Sequence, residues 1–165
     1  MSLEQDVVLA AGDGALGPLL RLADDRLAPG AGYGRHEHRA VDVVAVVVSG
    51  SMRHAWGPGA QLAAGDVAVL RAGAGLAHDE MAGDDGARVL QAYLRAADPT
   101  APPSHAVHRA AHGWVDLGRL DAGLWVGPPA EAPDGQVSVA GGDLTVVWRL
   151  TTDRPDWAGP PPERS

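Results

Sequence analysis

Five residue types are missing from the 165-residue chain: cysteine, lysine, phenylalanine, isoleucine and asparagine. Without cysteine there is no disulfide, no thiolate nucleophile and no zinc site built on sulfur. The other four types are encoded by AT-rich codons, so their absence reflects a GC-rich coding sequence more than a function. All 13 basic residues are arginine, against 21 acidic ones, for a formal net charge of −8. Basic runs are lacking, which argues against nucleic acid and anionic membrane surfaces as partners. Apolar runs fall well short of the ~20 residues that span a bilayer. The leader Met1-Ser2-Leu3-Glu4-Gln5-Asp6 has neither the charge nor the apolar core of a secretory signal, so a cytoplasmic protein is expected. Glycine and proline, at 22 and 13 residues, punctuate the chain without making it low-complexity.

What is present reads as strands. Val41 to Val48 is apolar except for Asp42 and too rich in β-branched residues for a comfortable helix, so it predicts a strand covered on both faces. Ser49-Gly50-Ser51 then predicts a turn, and Met52-Arg53-His54 a return strand. Further strand, turn and strand signals follow over Gln61 to Leu70, and Arg88 to Leu94 is another candidate. This spacing, about ten residues between breaks, predicts an all-β barrel or sandwich. A chain of this length can bury roughly 70% of its unfolded surface, enough for a real core.

Asp98-Pro99-Thr100-Ala101-Pro102-Pro103 reads as a linker, dividing the chain into a first unit over 1–98 and additional strands over 104–150. Trp114 to Leu117, Leu124 to Gly127, Val137 to Val139 and Leu144 to Leu150 are the candidates there, either completing the barrel or packing on it. Residues 153–165, with Pro160-Pro161-Pro162, read as a flexible tail. Two short helical segments are the other expectation, around Leu16–Leu22 and Ala106–Ala111.

Two pairs carry the chemistry, His36-x-His38 and His78-x-Glu80. Residues two apart on a strand point to one face. If the two strands are neighbours and both pairs face inward, four ligands converge. Three imidazoles and a carboxylate suit one first-row divalent ion: Fe, Mn, Ni, Cu or Zn. A centre held this way keeps open positions for water, oxygen or substrate, as catalytic sites do. Glu37 and Asp79 have the opposite parity and are expected outside. Asp42 shares parity with the histidines and is either an acceptor for an imidazole N–H or an ordinary carboxylate at a strand end. His54 is either an acid or base in the pocket or a hydrogen-bonded structural residue. Tyr33 and Trp56 stand near the expected mouth, to stack on a planar substrate or simply to pack. Arg39 reads as half of an ion pair, with Asp66 its candidate partner. His105, His108 and His112 invite a second site, and His108 and His112 have helical zinc spacing, but without an HExxH pattern or a partner carboxylate no second site is expected.

The stretch Gly32-Tyr33-Gly34-Arg35-His36-Glu37-His38-Arg39-Ala40-Val41-Asp42 resembles the first motif of the pirin family, G-F-G-x-H-P-H-R-G-F-E. Leu62 to Val67 and Arg71 to Met81 resemble its second, P-G-D-V-x-x-M-x-A-G-x-G-I-x-H-S-E. Leu19 to Asp25 and Gln91 to Leu94 echo neighbouring segments, so the resemblance runs over roughly residues 16 to 95. It implies a cupin barrel, a jelly roll or double-stranded β-helix, with additional C-terminal strands. It also implies one divalent metal, Fe(II) foremost, on His36, His38, His78 and Glu80. The implied activity is a quercetinase-like dioxygenase, or a related Lewis-acid enzyme, acting on an enol or phenol. The alternative it leaves open is a non-catalytic metal-binding protein that senses redox state. Expected partners are a small-molecule substrate and, as an open alternative, a second copy of the chain. The departures are Glu37 for proline and Ala40, Val41 and Asp42 for Gly, Phe and Glu. Family members usually carry two cupin domains, and this sequence is too short for a complete second one.

Overall fold

The structure, a computed structural model, describes residues 2–12 and 14–151. Twelve strands run in chain order: β1 (Leu3–Ala10), β2 (Ala15–Leu27), β3 (His36–His38), β4 (Val41–Ala55), β5 (Ala60–Ala63), β6 (Val67–Arg71), β7 (Leu76–Arg95), β8 (Ser104–His108), β9 (Gly113–Val115), β10 (Ala122–Gly127), β11 (Val137–Gly141) and β12 (Leu144–Leu150). The only helical turn among the described residues is a 3-10 segment at Pro129–Glu131, and no helix is long and apolar enough to cross a membrane. The tail expected over 153–165 lies outside the described residues.

Strands β1–β8 form one antiparallel sheet in the order β1-β2-β7-β4-β6-β8, with β3 joined to β7 and β5 to β4. Strands β9–β12 form a second sheet, ordered β11-β12-β10-β9. The valine run of β4 explains how they pack. Val44, Val46 and Val48 share a core with Leu90, Ala92 and Leu94 of β7 and with Leu124, Val126, Val146 and Trp148 of the second sheet. Ala45 and Val47 belong instead to a cluster with Met52, Leu62 and Val89, while Val43 packs with Leu70 and Leu76. Alternation along the strand therefore sends even-numbered valines to the second sheet and odd-numbered residues to the opposite face, so β4 is buried on both faces as its composition predicts. Burying a valine fully contributes on the order of 1.5–3 kcal/mol, which makes this strand the spine of the fold.

Three expectations fail for identifiable reasons. The turn at 49–51 does not form, and β4 continues through it to Ala55. Gly50 has φ +73° and faces Gly86 so closely that a Cβ would collide with the Gly86 carbonyl. It serves as a kink between two register shifts against β7 rather than as a hairpin tip. The chain reverses later, at Gly57-Pro58-Gly59, into β5. The segments around Leu16–Leu22 and Ala106–Ala111 are not helical: they lie in β2 and in β8 with the turn after it. Both find ladder partners far away in sequence, β2 on β7 and β8 on β6, and such pairing overrides a weak local preference.

Candidate metal centre

Strand β7 organises the site. On one side it pairs with β3, which sets His36 directly opposite His78. On the other side it pairs with β4, which sets His54 directly opposite Glu80. Leu76, His78, Glu80 and Ala82 are buried, while Met81 is exposed and Ala77 and Asp79 are partly so, the period-two pattern of a strand with one interior face. Gly32 lets the loop before β3 close onto this strand, because a Cβ there would press on the Glu80 carbonyl. The Tyr33 N–H then donates to that carbonyl at 3.1 Å.

His36, His38 and His78 each offer a donor nitrogen, and these atoms all lie within 4.8 Å of one another. The Nε2 atoms of His36 and His78 are 2.8 Å apart. Two nitrogens bound about 2.1 Å from one ion at a right angle stand about 3 Å apart, so this spacing suits a shared cation. The Nδ1–H of His36 donates to the Gly34 carbonyl at 2.7 Å, which leaves the Nε2 lone pair free to face the other rings. Burial drives the His38 imidazole below its ordinary range and His78 down to about 3, with the neighbouring imidazoles adding to both shifts. Neutral imidazoles are what a metal needs as ligands.

Glu80 stands apart from this trio. Its Oε2 accepts from the Gln91 amide at 3.2 Å, and its Oε1 lies 3.0 Å from His54 Nε2. Neither atom of the Oε1–Nε2 pair makes an aligned hydrogen bond, although both are buried. Burial pushes the Glu80 carboxyl up to about 7. A buried carboxylate whose second oxygen faces only the His54 imidazole, beside three convergent neutral imidazoles, concentrates donor groups at one point. The donor set fits a first-row divalent cation.

The remaining expected residues fall in different places. His54 is in the interior, its Nδ1 3.2 Å from His105 Nε2, and burial with the adjacent His105 takes it down to about 3. Tyr33 is adjacent to His36, with ring centroids 6.3 Å apart, but its hydroxyl donates to Asp25 at 2.6 Å. Trp56 packs on the Val43, Leu70 and Leu76 cluster. Glu37 is exposed and Asp79 lies outside the donor cluster, as their parity requires. Asp42 does not reach an imidazole: its carboxylate pairs with Arg119 at 2.9 Å. Ala40, at φ +56°, breaks the chain between β3 and β4, so parity does not carry from His38 to Asp42. Asp66 pairs with Arg109 rather than Arg39. His108 lies on β8, and His112 pairs instead with Glu131 at 2.8 Å.

Three interior residues escape the sequence reading. Gln91 holds Glu80, Tyr93 sets its ring 5.6 Å from that of His38, and His105 backs His54. A polar Gln91 in the apolar run from Val89 to Leu94 is a usable signal. His105 offers none, because it reaches the site only through the pairing of Leu70 with His105 across β6 and β8.

Comparison with known proteins agrees with this geometry. The family model described as Pirin matches residues 10–94, more than half of the chain. The chain belongs to the pirin family. A candidate quercetin 2,3-dioxygenase of Zymomonas mobilis is 39% identical over 59 residues, 34% of this chain and 25% of that protein. One from Pseudomonas aeruginosa is 37% identical over 59 residues, with the same coverage. The chain thus matches about a quarter of the length of these curated relatives. Among solved structures, the bacterial pirin YhhW of Escherichia coli in complex with nickel(II) superposes with TM-score 0.65 at 21% identity, over 76% of this chain and 65% of that one. A quercetin 2,3-dioxygenase of Acinetobacter baumannii gives TM-score 0.56 at 16% identity, over 75% and 49%. These likenesses identify the all-β architecture as the cupin fold of the pirins.

Proposed function

We propose that this pirin-family chain is a mononuclear metal-dependent oxygenase of small enols or phenols, with Fe(II) as its ion. The observation that carries the reading is the convergence of His36, His38 and His78 beside the buried, incompletely bonded carboxylate of Glu80. The three imidazoles would hold the ion, with Glu80 available as a fourth donor. Bound there, Fe(II) would supply Lewis acidity toward an enolate or phenolate oxygen and the electrons that dioxygen chemistry requires.

The chain's own residues prepare the substrate. With no ion bound, burial holds the Glu80 carboxyl near 7; a cation on the imidazoles would lower it and leave a carboxylate able to accept a proton. Its Oε1 accepts the hydroxyl proton of the enol or phenol, while Gln91 fixes Oε2 and His54 flanks the carboxylate. The Tyr93 ring, 5.6 Å from that of His38, adds an aromatic surface beside the imidazoles. The family relatives named for quercetin oxidation support flavonols as the first substrates to try.

The test is oxygen uptake by protein loaded anaerobically with Fe(II), with a flavonol and a panel of small phenols. Substrate-dependent uptake is expected. His78→Ala abolishes it, and Glu80→Gln lowers kcat by about 10²-fold or more, the usual scale for losing a general base. A fully iron-loaded protein that consumes no oxygen with any of them, yet binds a protein partner in a redox-dependent way, contradicts the oxygenase and favours the regulatory alternative.

A further inference from the structure

An open cleft of about 620 Å³ lies on the outer face of the strands that carry the metal centre, lined by Arg35, Arg53, Ala55, Trp56, Gln61 and Ala77 with the Gly57-Pro58-Gly59 turn. Its walls neighbour the site residues in sequence: Arg35 precedes His36, Arg53 precedes His54 and Ala77 precedes His78. Both arginines are exposed. Among the described residues neither makes a hydrogen bond, ion pair or ring contact, although most of the other described arginines are engaged. Asp79 is not in the cleft's lining, but it lines an adjoining small recess that shares Arg53 and Ala55 with the cleft. In a chain of net charge −8, a cleft with two arginines and no acidic residue in its lining is a local reversal of sign. Field lines focus there, and anions are drawn in.

We infer that this cleft binds a planar aromatic carboxylate. Guanidinium groups match a carboxylate in shape and charge, and the half-buried Trp56 indole beside them offers a face for an aromatic ring. Gln61, directly opposite Arg53 in the β4–β5 ladder, adds a further polar side chain. A bare inorganic anion would engage the arginines but leave the indole unused, whereas an uncharged ring would do the reverse. Only an anion carried on a ring uses both. The inference concerns the cleft and does not depend on oxygenase activity.

The experiment measures binding of 4-hydroxybenzoate, 4-hydroxybenzamide and inorganic phosphate to the full chain by calorimetry and tryptophan fluorescence. It is run in parallel on chelator-treated and metal-reconstituted protein. The carboxylate is expected to bind about tenfold or more tightly than the amide at low salt, in both forms, with the preference shrinking as salt rises. Phosphate should compete weakly. The double variant Arg35→Gln/Arg53→Gln, altered only at exposed side chains, should bring carboxylate and amide within about twofold of each other. Trp56→Leu should weaken both ring ligands. Equal affinities in the wild type overturn the inference, as does a preference that survives the double variant or appears only with metal present. Phosphate binding as tightly as the benzoate overturns the aromatic part.

Discussion

At the scale of single residues, the interior face of β7 sets charge against burial. In the metal-free chain His54 and His78 are held down to about 3, and His38 and His105 are lowered in the same sense, each chiefly by burial. Unfolding frees these imidazoles to bind protons below about pH 6.5. Each therefore contributes stability above that pH and loses it as the pH falls, by up to about 1.4 kcal/mol per pH unit. Glu80 acts oppositely: its folded carboxyl binds a proton near 7, and the unfolded one only near 4.5. Burial also raises Asp25 and Asp42, which act in the same sense as Glu80, but four depressed imidazoles outweigh these acids between about pH 6.5 and 4.5. The urea midpoint of chelator-treated protein should thus fall across that window; a flat or rising midpoint refutes the assignment of neutral buried histidines. The two-residue periods of His36-x-His38 and His78-x-Glu80 made the convergence of the three imidazoles readable in the sequence, because strand parity is local. Asp42 was misplaced by the same reasoning, since one left-handed residue, Ala40, resets the parity. Of the residues beside Glu80, His54 is a pocket candidate in the sequence, but its pairing with Glu80 across the ladder, and the role of Gln91 along the strand, are not defined by sequence spacing.

At the scale of elements, β4 shows what composition can and cannot reveal. Its valine run predicts burial on both faces, and the structure agrees. The glycine within Ser49-Gly50-Ser51 was read as a turn, the commoner use of that triplet, but here it permits close approach to Gly86 within a long, kinked strand. The two uses demand the same left-handed backbone and are indistinguishable without knowing the partner strand. Gly50→Ala tests this reading. A side chain there incurs about 1–2 kcal/mol for the left-handed conformation and a collision with backbone besides. A total loss of about 3 kcal/mol is expected, near the upper end for single substitutions, measured by denaturant unfolding. A loss below about 0.5 kcal/mol would mean that the kink is not needed.

At the scale of the whole molecule, the second sheet covers the face of β4 turned away from the metal centre, and a buried ion network ties the two together. Arg119, just before β10, donates to Asp42 of the large sheet at 2.9 Å and to both oxygens of Asp121 at 2.6 and 2.9 Å. The side chains of Arg119 and Asp42 are each 3% exposed, so water cannot replace a lost partner. Arg119→Ala leaves the buried Asp42 carboxylate with only the Ala97 N–H and the nearby Arg71 charge and should destabilise the chain by about 3 kcal/mol; a change within about 1 kcal/mol in thermal or urea unfolding would show that the sheets are held by apolar packing alone. None of this network is visible in the sequence, where Asp42 and Arg119 have no recognisable relation.

One divalent ion is expected on His36, His38 and His78. Elemental analysis of protein purified anaerobically from iron- and nickel-supplemented cultures, beside His36→Ala and His78→Ala variants confirmed as folded, addresses it directly. About one equivalent of a first-row divalent metal per chain is predicted for the wild type, falling at least tenfold in either variant. Wild-type protein that stays metal-free after supplementation, or variants that keep the metal undiminished, would contradict the account.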